Sequence, residues 1–220
     1  MKAHGKANIK TNRSTKESIE STKRGRGRPR EFDREQALAK AMRIFWSLGY
    51  DATSMADLRA ALGLTQASLY AAFGSKEQLF REAVDLYRQT VSVATARALG
   101  TGSSAREAIH AMLQTAIDAY TAPGSPRGCL VILGATNYAV ENKAVHDHLL
   151  SIRREVSQSI LDRLKRGQHE GDVPKAAPVD ALAAYYATVL HGLALQSRDG
   201  ASRKTLSQVV EITMANWQQY

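Results

Sequence analysis

No stretch of this chain alternates apolar and polar side chains with the two-residue period of a strand. Its apolar residues recur every three or four positions instead. That pattern predicts an all-α protein. Glycine and proline clusters divide the series at Gly49, Gly63, Gly74-Ser75 and the stretches 100–102, 122–126, 171–174 and 199–200. The first helix starts after Asp33, with Gln36 completing a capping box. It carries Leu38, Met42, Phe45 and Trp46, and ends at Gly49. Thr53 is expected to cap a second, short helix and Thr65 a third. Ser75 caps a fourth that runs from Lys76 to about Leu99. Longer helices follow near 103–120, 128–140, 142–168, 178–197 and 202–218, for about nine in all.

The segment 53–73 has the spacing of a helix-turn-helix: a helix of about eight residues, a turn at Gly63-Leu64, and a second short helix. Gly63 suits the turn because glycine adopts positive φ without a Cβ clash. Leu58, Leu62, Leu64 and Leu69 would close a small core. Gln66, Ala67, Ser68, Tyr70 and Ala71 then lie on or near the open side of the second helix. Gln66 can read adenine bidentately, and the Ala67 methyl can meet a thymine methyl. Thr53 and Thr65, at helix N-termini, can bind phosphate oxygens. Spacing alone somewhat favours an ordinary helical hairpin over DNA binding.

Charge is unevenly placed. Residues 1–30 hold ten Lys/Arg against Glu17 and Glu20, whereas residues 31–88 hold seven Lys/Arg against eight Asp/Glu. Non-specific attraction to a polyanion must therefore come largely from Arg24, Arg26, Arg28 and Arg30. The alternative is a solubilising arm. Its glycines and Pro29 exclude a helix there. Arg26-Gly27-Arg28-Pro29 looks like the core of an AT-hook, which enters narrow A·T-rich minor grooves. Phosphate contact without insertion is the other reading.

The run Thr53-Ser54-Met55-Ala56-Asp57-Leu58, then Leu62 through Leu79 with its Leu69-Tyr70-x-x-Phe73-x-x-Lys76-Glu77-x-Leu79 signature, closely resembles the TetR family of bacterial transcriptional regulators. The resemblance runs from about Asp33 to Leu79. It implies an N-terminal three-helix DNA-binding domain (31–78) behind a basic arm (1–30), and a C-terminal helical ligand-binding and dimerisation domain (79–220). It implies a homodimer on a palindromic double-stranded operator, released by a small-molecule effector. Thr65, Gln66, Ala67, Ser68 and Tyr70 match the family's recognition-helix contacts, and Thr53 and Lys76 its phosphate contacts. Ala72 departs from the pattern: many members place there a histidine that touches phosphate.

Farther on the resemblance is looser. Pro126-Arg127-Gly128-Cys129-Leu130-Val131 is similar to a segment in one large branch of the family. Candidate pocket residues are Met112, Ile117, Tyr120, Cys129, Leu133, Asn137, Tyr138 and Tyr185, each equally readable as core. Leu182, Tyr186, Val189 and Leu193, with Leu206, Val210 and Trp217, form apolar helix faces that suit either the protomer's own core or a four-helix dimer interface. The resemblance favours the interface.

Other function classes find less support. The one cysteine, Cys129, allows no internal disulfide and fits a reducing cytoplasm. It could sense oxidants only as a thiolate, and a cysteine in an apolar run usually packs. A regulator switched through this thiol and an architectural binder of A·T-rich DNA are the alternatives. No nucleophile–base constellation, phosphate loop or zinc-site spacing is legible, so neither an enzyme nor a cofactor is expected. There is no apolar run of roughly eighteen residues, and hence no expected membrane span. The polar N-terminus does not read as a secretory signal.

Overall fold

The computed structural model describes residues 33–219, and every described element is helical. The arm with Arg24, Arg26, Arg28 and Arg30 lies outside the described residues. In order come α1 (Arg34–Leu48), α2 (Met55–Leu62), α3 (Gln66–Phe73), α4 (Lys76–Thr90), α5 (Val93–Thr101), α6 (Ala105–Tyr120), α7 (Leu130–Leu133), α8 (Lys143–Glu170), α9 (Val179–Arg198) and α10 (Arg203–Ala215). Single 3-10 turns cover Val140–Asn142 and Asn216–Gln219.

Local chemistry accounts for most boundaries. The Asp33 carboxylate accepts the Gln36 amide at 3.0 Å and opens α1. The N–H of Gly49, at φ 81°, closes it on the Phe45 carbonyl. Ser75, Ser104 and Ser202 cap α4, α6 and α10 in the same way.

Two expected helices are not continuous. The one expected from Lys76 to Leu99 stops at Thr90 and restarts at Val93. Thr90-Val91-Ser92-Val93 is a run of poor helix formers, and the amides of Val91 and Ser92 both turn onto the Tyr87 carbonyl. The helix expected over 128–140 shrinks to the single turn α7. The Gly134 carbonyl, which would accept the next helical amide, instead accepts the Tyr50 N–H at 2.8 Å.

α1 packs along α4, and its inner face of Ala41, Phe45 and Trp46 is buried. α6 is surrounded by α5, α8, α9 and α10. A buried guanidinium, Arg163, meets Glu170 at 3.3 Å and Asp172 at 3.8 Å. Asp172 also accepts the Ala105 amide, tying the end of α8 to the start of α6. No described helix is long and apolar enough to cross a membrane.

Candidate nucleic-acid interface

The turn between α2 and α3 is built as its residues demand. Gly63 sits in the left-handed region at φ 66°, and its N–H returns to the Arg59 carbonyl. A Cβ there would meet open space, so only the positive φ calls for glycine. Leu58, Leu69 and Phe73 are buried beneath the pair, with Leu62 and Leu64 packed beside them. The Thr65 hydroxyl caps α3 by accepting the Ser68 amide at 3.1 Å.

Those contacts leave Thr65, Gln66, Ala67, Ser68, Tyr70 and Ala71 exposed on one side of α3. In a helix of eight residues only Leu69 and Phe73 are buried. Arg34 steadies the far end: its guanidinium lies 4.6 Å from the Phe73 ring centroid, donates to the Ala72 carbonyl and pairs with Glu82.

Thr53 is a correction. The expected cap of α2 is fully buried, and its hydroxyl donates to the Gly49 carbonyl at 2.6 Å. It cannot reach a phosphate. Ser54, one residue on, is the cap, in a reciprocal capping box with Asp57. The Ser54-x-x-Asp57 spacing was the available signal. Hydrogen bonds from Ser54 hold the Asp57 carboxyl below its usual range. Lys76 leans over the Tyr50 ring at 4.2 Å. Burial lowers its pKa, against a smaller upward pull from Asp51.

The α2–α3 unit is carried on α1, and α1 is fastened to the rest by its far end. The Trp46 indole N–H donates to the Gly128 carbonyl at 3.0 Å, and Arg198 of α9 donates to the carbonyls of Trp46, Ser47 and Arg127. With Tyr50 on Gly134, both glycines flanking the segment 129–133 are bonded to the end of α1 or the loop after it.

That same segment lines a cavity of about 470 Å³ between α4, α5, α6, α8 and α9. Of the candidate pocket residues, Met112, Tyr120 and Cys129 line it. Ile117 is buried elsewhere in the core, and Leu133 packs against the core without lining the cavity. Asn137, Tyr138 and Tyr185 are corrections too. Asn137 lies in the loop that replaces the expected helix. Tyr138 is 38% exposed and stacks on His146, and Tyr185 is 38% exposed on α9. The sequence reading missed Tyr87, Arg153 and His191, which the break after α4 and the long α8 bring to the cavity. Burial pushes the Cys129 thiol above its usual range and the Tyr87 hydroxyl well above. A buried, protonated thiol is a poor sensor.

The expected interface faces are corrected as well. Leu182, Tyr186, Leu193, Leu206 and Val210 are buried within the single chain, and Val189 and Trp217 are partly buried in the same core. The opposite faces are open: Ala184, Tyr185, Thr188 and Leu195 on α9, and Val209 and Ile212 on α10. Leu195 is 49% and Ile212 68% exposed.

Among the described residues no group of three or more His, Cys, Asp or Glu side chains is placed to hold a metal ion.

The sequence matches the model of bacterial regulatory proteins of the tetR family over residues 37–83, and that of the tetracyclin repressor-like C-terminal domain over residues 105–213. It is 32% identical over 202 residues to the HTH-type transcriptional repressor ComR of Escherichia coli K12, covering 91% of this chain and 96% of that one. Identity to the repressor BdcR of the same organism is 31% over 180 residues, covering 82% and 86%. Among solved structures, the chain is similar to a cysteine mutant of the TetR family transcriptional regulator CifR complexed with 26-base-pair double-strand operator DNA. The identity is 41% and the TM-score 0.82, over 86% of this chain and 100% of that one.

Proposed function

The chain belongs to the TetR family and is a DNA-binding transcriptional regulator, and we propose that it acts as a homodimeric repressor released from a palindromic operator by a small molecule. The observation that carries this reading is α3: a capped, eight-residue helix that spends only Leu69 and Phe73 on the core and leaves Gln66, Ala67, Ser68 and Tyr70 open. Small side chains at 67 and 68 let the helix approach base edges, and Gln66 has the donor–acceptor pair that adenine requires. Thr65 and Lys76 contact phosphates on either side. Arg24, Arg26, Arg28 and Arg30 add the sequence-independent attraction that the near-neutral helical unit lacks.

The outward faces of α9 and α10 support the dimer. The open residues Ala184, Thr188 and Leu195 of α9, with Ile212 of α10, can pair with their symmetry mates, which sets two α3 helices about 34–36 Å apart for successive major grooves. The cavity supports release. Its wall at Cys129, Val131 and Ile132 is continuous with the two glycine carbonyls that hold Trp46 and Tyr50, and its Tyr87 belongs to the helix that begins against α3. A ligand that fits only one arrangement of that wall changes the α3 spacing without touching DNA. The relatives are named repressors, which favours neither the thiol switch nor the architectural reading.

The test is selection of bound sequences from a random DNA library, followed by footprinting. A palindrome with half-sites one helical turn apart, protected by two protomers, is expected. Sequence-indifferent protection overturns the reading. Deleting residues 1–30 should weaken binding to every sequence and flatten its salt dependence.

A further inference from the structure

We infer that the cavity takes a small organic acid with an apolar body, its carboxylate seated on Arg153; this rests on the effector-release reading above. Arg153 projects from α8 into the cavity and is only partly exposed. The one hydrogen bond of its guanidinium among the described residues runs from Nη1 to the Val131 carbonyl at 3.0 Å, and no described carboxylate forms an ion pair with it. A guanidinium carries five N–H donors in a planar fork, so most of this fork remains to be satisfied. The other arginine of the lining, Arg88 at the exposed rim, is already paired with Glu155 at 2.8 Å.

The groups around Arg153 fit the same ligand. The Tyr87 hydroxyl is fully buried on the cavity wall, with the Cys129 thiol and Leu130 backbone as neighbours, yet it meets neither with full hydrogen-bond geometry. Burial, and then the Arg153 charge, lower the pKa of His191, so that neutral ring is a hydrogen-bonding neighbour rather than a second cation. The remaining wall includes Leu99, Met112, Ile132, Ile152 and Leu190, which suit an alkyl or aryl body. A carboxylate supplies the two parallel acceptors that a guanidinium fork matches. A neutral amide would offer the fork a single carbonyl acceptor without the opposing charge, and an amine would face its charge. The seat also adjoins the Val131 carbonyl, inside the segment whose flanking glycines hold Trp46 and Tyr50.

The test compares octanoate, octanamide and octylamine by isothermal titration calorimetry on the full chain, and asks which of them releases the selected operator. Octanoate should bind at least about tenfold tighter than octanamide, with octylamine weaker still. In Arg153→Met the octanoate-to-octanamide ratio should fall to about one, while Arg153→Lys keeps part of it. The ratio in the unsubstituted chain needs no variant, so a misfolded substitution does not protect the idea. Octanamide binding as tightly as octanoate overturns the acid assignment, and if octanamide releases the operator the effector reading survives alone. Octanoate binding with the expected ratio but leaving operator affinity unchanged supports the acid seat and sinks release through it. No binding by any of the three overturns the inference.

Discussion

Two helix pairs of this molecule are joined through a turn containing a glycine, and they divide their surfaces in opposite ways. The α2–α3 pair has eight residues in each helix and buries Leu58 from one and Leu69 and Phe73 from the other. The rest of α3 is open or half-open, and apart from Tyr70 its side chains are small or polar. The α9–α10 pair is longer, twenty and thirteen residues, and buries Leu182, Tyr186, Leu193, Leu206 and Val210 in its own protomer. It still leaves apolar side chains outside, Leu195 and Ile212 among them. A short helix with a polar open face is suited to DNA edges and phosphates, which are wet and charged. A long helix with a second apolar face is suited to another copy of itself. The residue left in water, more than the residue in the core, separates the two roles.

The largest expected effect tests whether the two pairs belong to one cooperative unit. Trp46 packs edge-on to Tyr87, with ring centroids 4.9 Å apart, and its indole N–H holds Gly128. Trp46→Ala should cost about 3–5 kcal/mol. It should lower a single unfolding transition for the whole described chain. Two separate transitions by circular dichroism would show that the α2–α3 unit melts alone.

The next change breaks the comparison from the α9–α10 side. Leu195→Glu combined with Ile212→Glu puts carboxylates on the open faces. Each protomer should remain folded, because neither side chain belongs to the core. Dimer dissociation should become roughly a hundredfold easier, or about 3 kcal/mol, because the charges would be buried without partners. Light scattering that still reports a stable dimer would place the interface elsewhere. The companion Tyr186→Ala should instead destabilise the fold itself.

On the α2–α3 side, Gln66→Ala should cost about 1–3 kcal/mol of discrimination at one base position and leave thermal stability nearly unchanged. A uniform loss across all operator sequences would make Gln66 a phosphate contact, not a reader.

The smallest effect separates adjacent hydroxyls. Ser54→Ala removes a reciprocal cap and should cost about 1 kcal/mol. Thr53→Val leaves the Gly49 carbonyl without its buried donor and should cost about 1–2 kcal/mol in urea unfolding. Operator affinity of the folded Thr53→Val protein should match the parent. A selective loss of DNA binding in that variant would restore Thr53 as a phosphate contact.

What was legible in the residues follows a physical division. The caps at Asp33, Thr65 and Ser75, the stop at Gly49 and the left-handed turn at Gly63 all depend on interactions within about four residues. The sequence alone determined them, and with them the helical class and the helix-turn-helix spacing. The cap of α2 falls one residue later than expected: Ser54-x-x-Asp57 carries the capping-box spacing, and the fold adds that the Thr53 hydroxyl is inside.

Tertiary structure decided what depends on distant partners. An amphipathic period says that Tyr186 and Leu195 point different ways, but not which side meets α6 and which is left outside. The Tyr50 amide takes the Gly134 carbonyl across a long stretch of chain, at the point where the helix expected over 128–140 ends. Arg153, Tyr87 and His191 share a cavity only because α4, α8 and α9 converge there. A side chain's spacing along one helix is a local quantity. The surface it faces is a property of the whole packed chain.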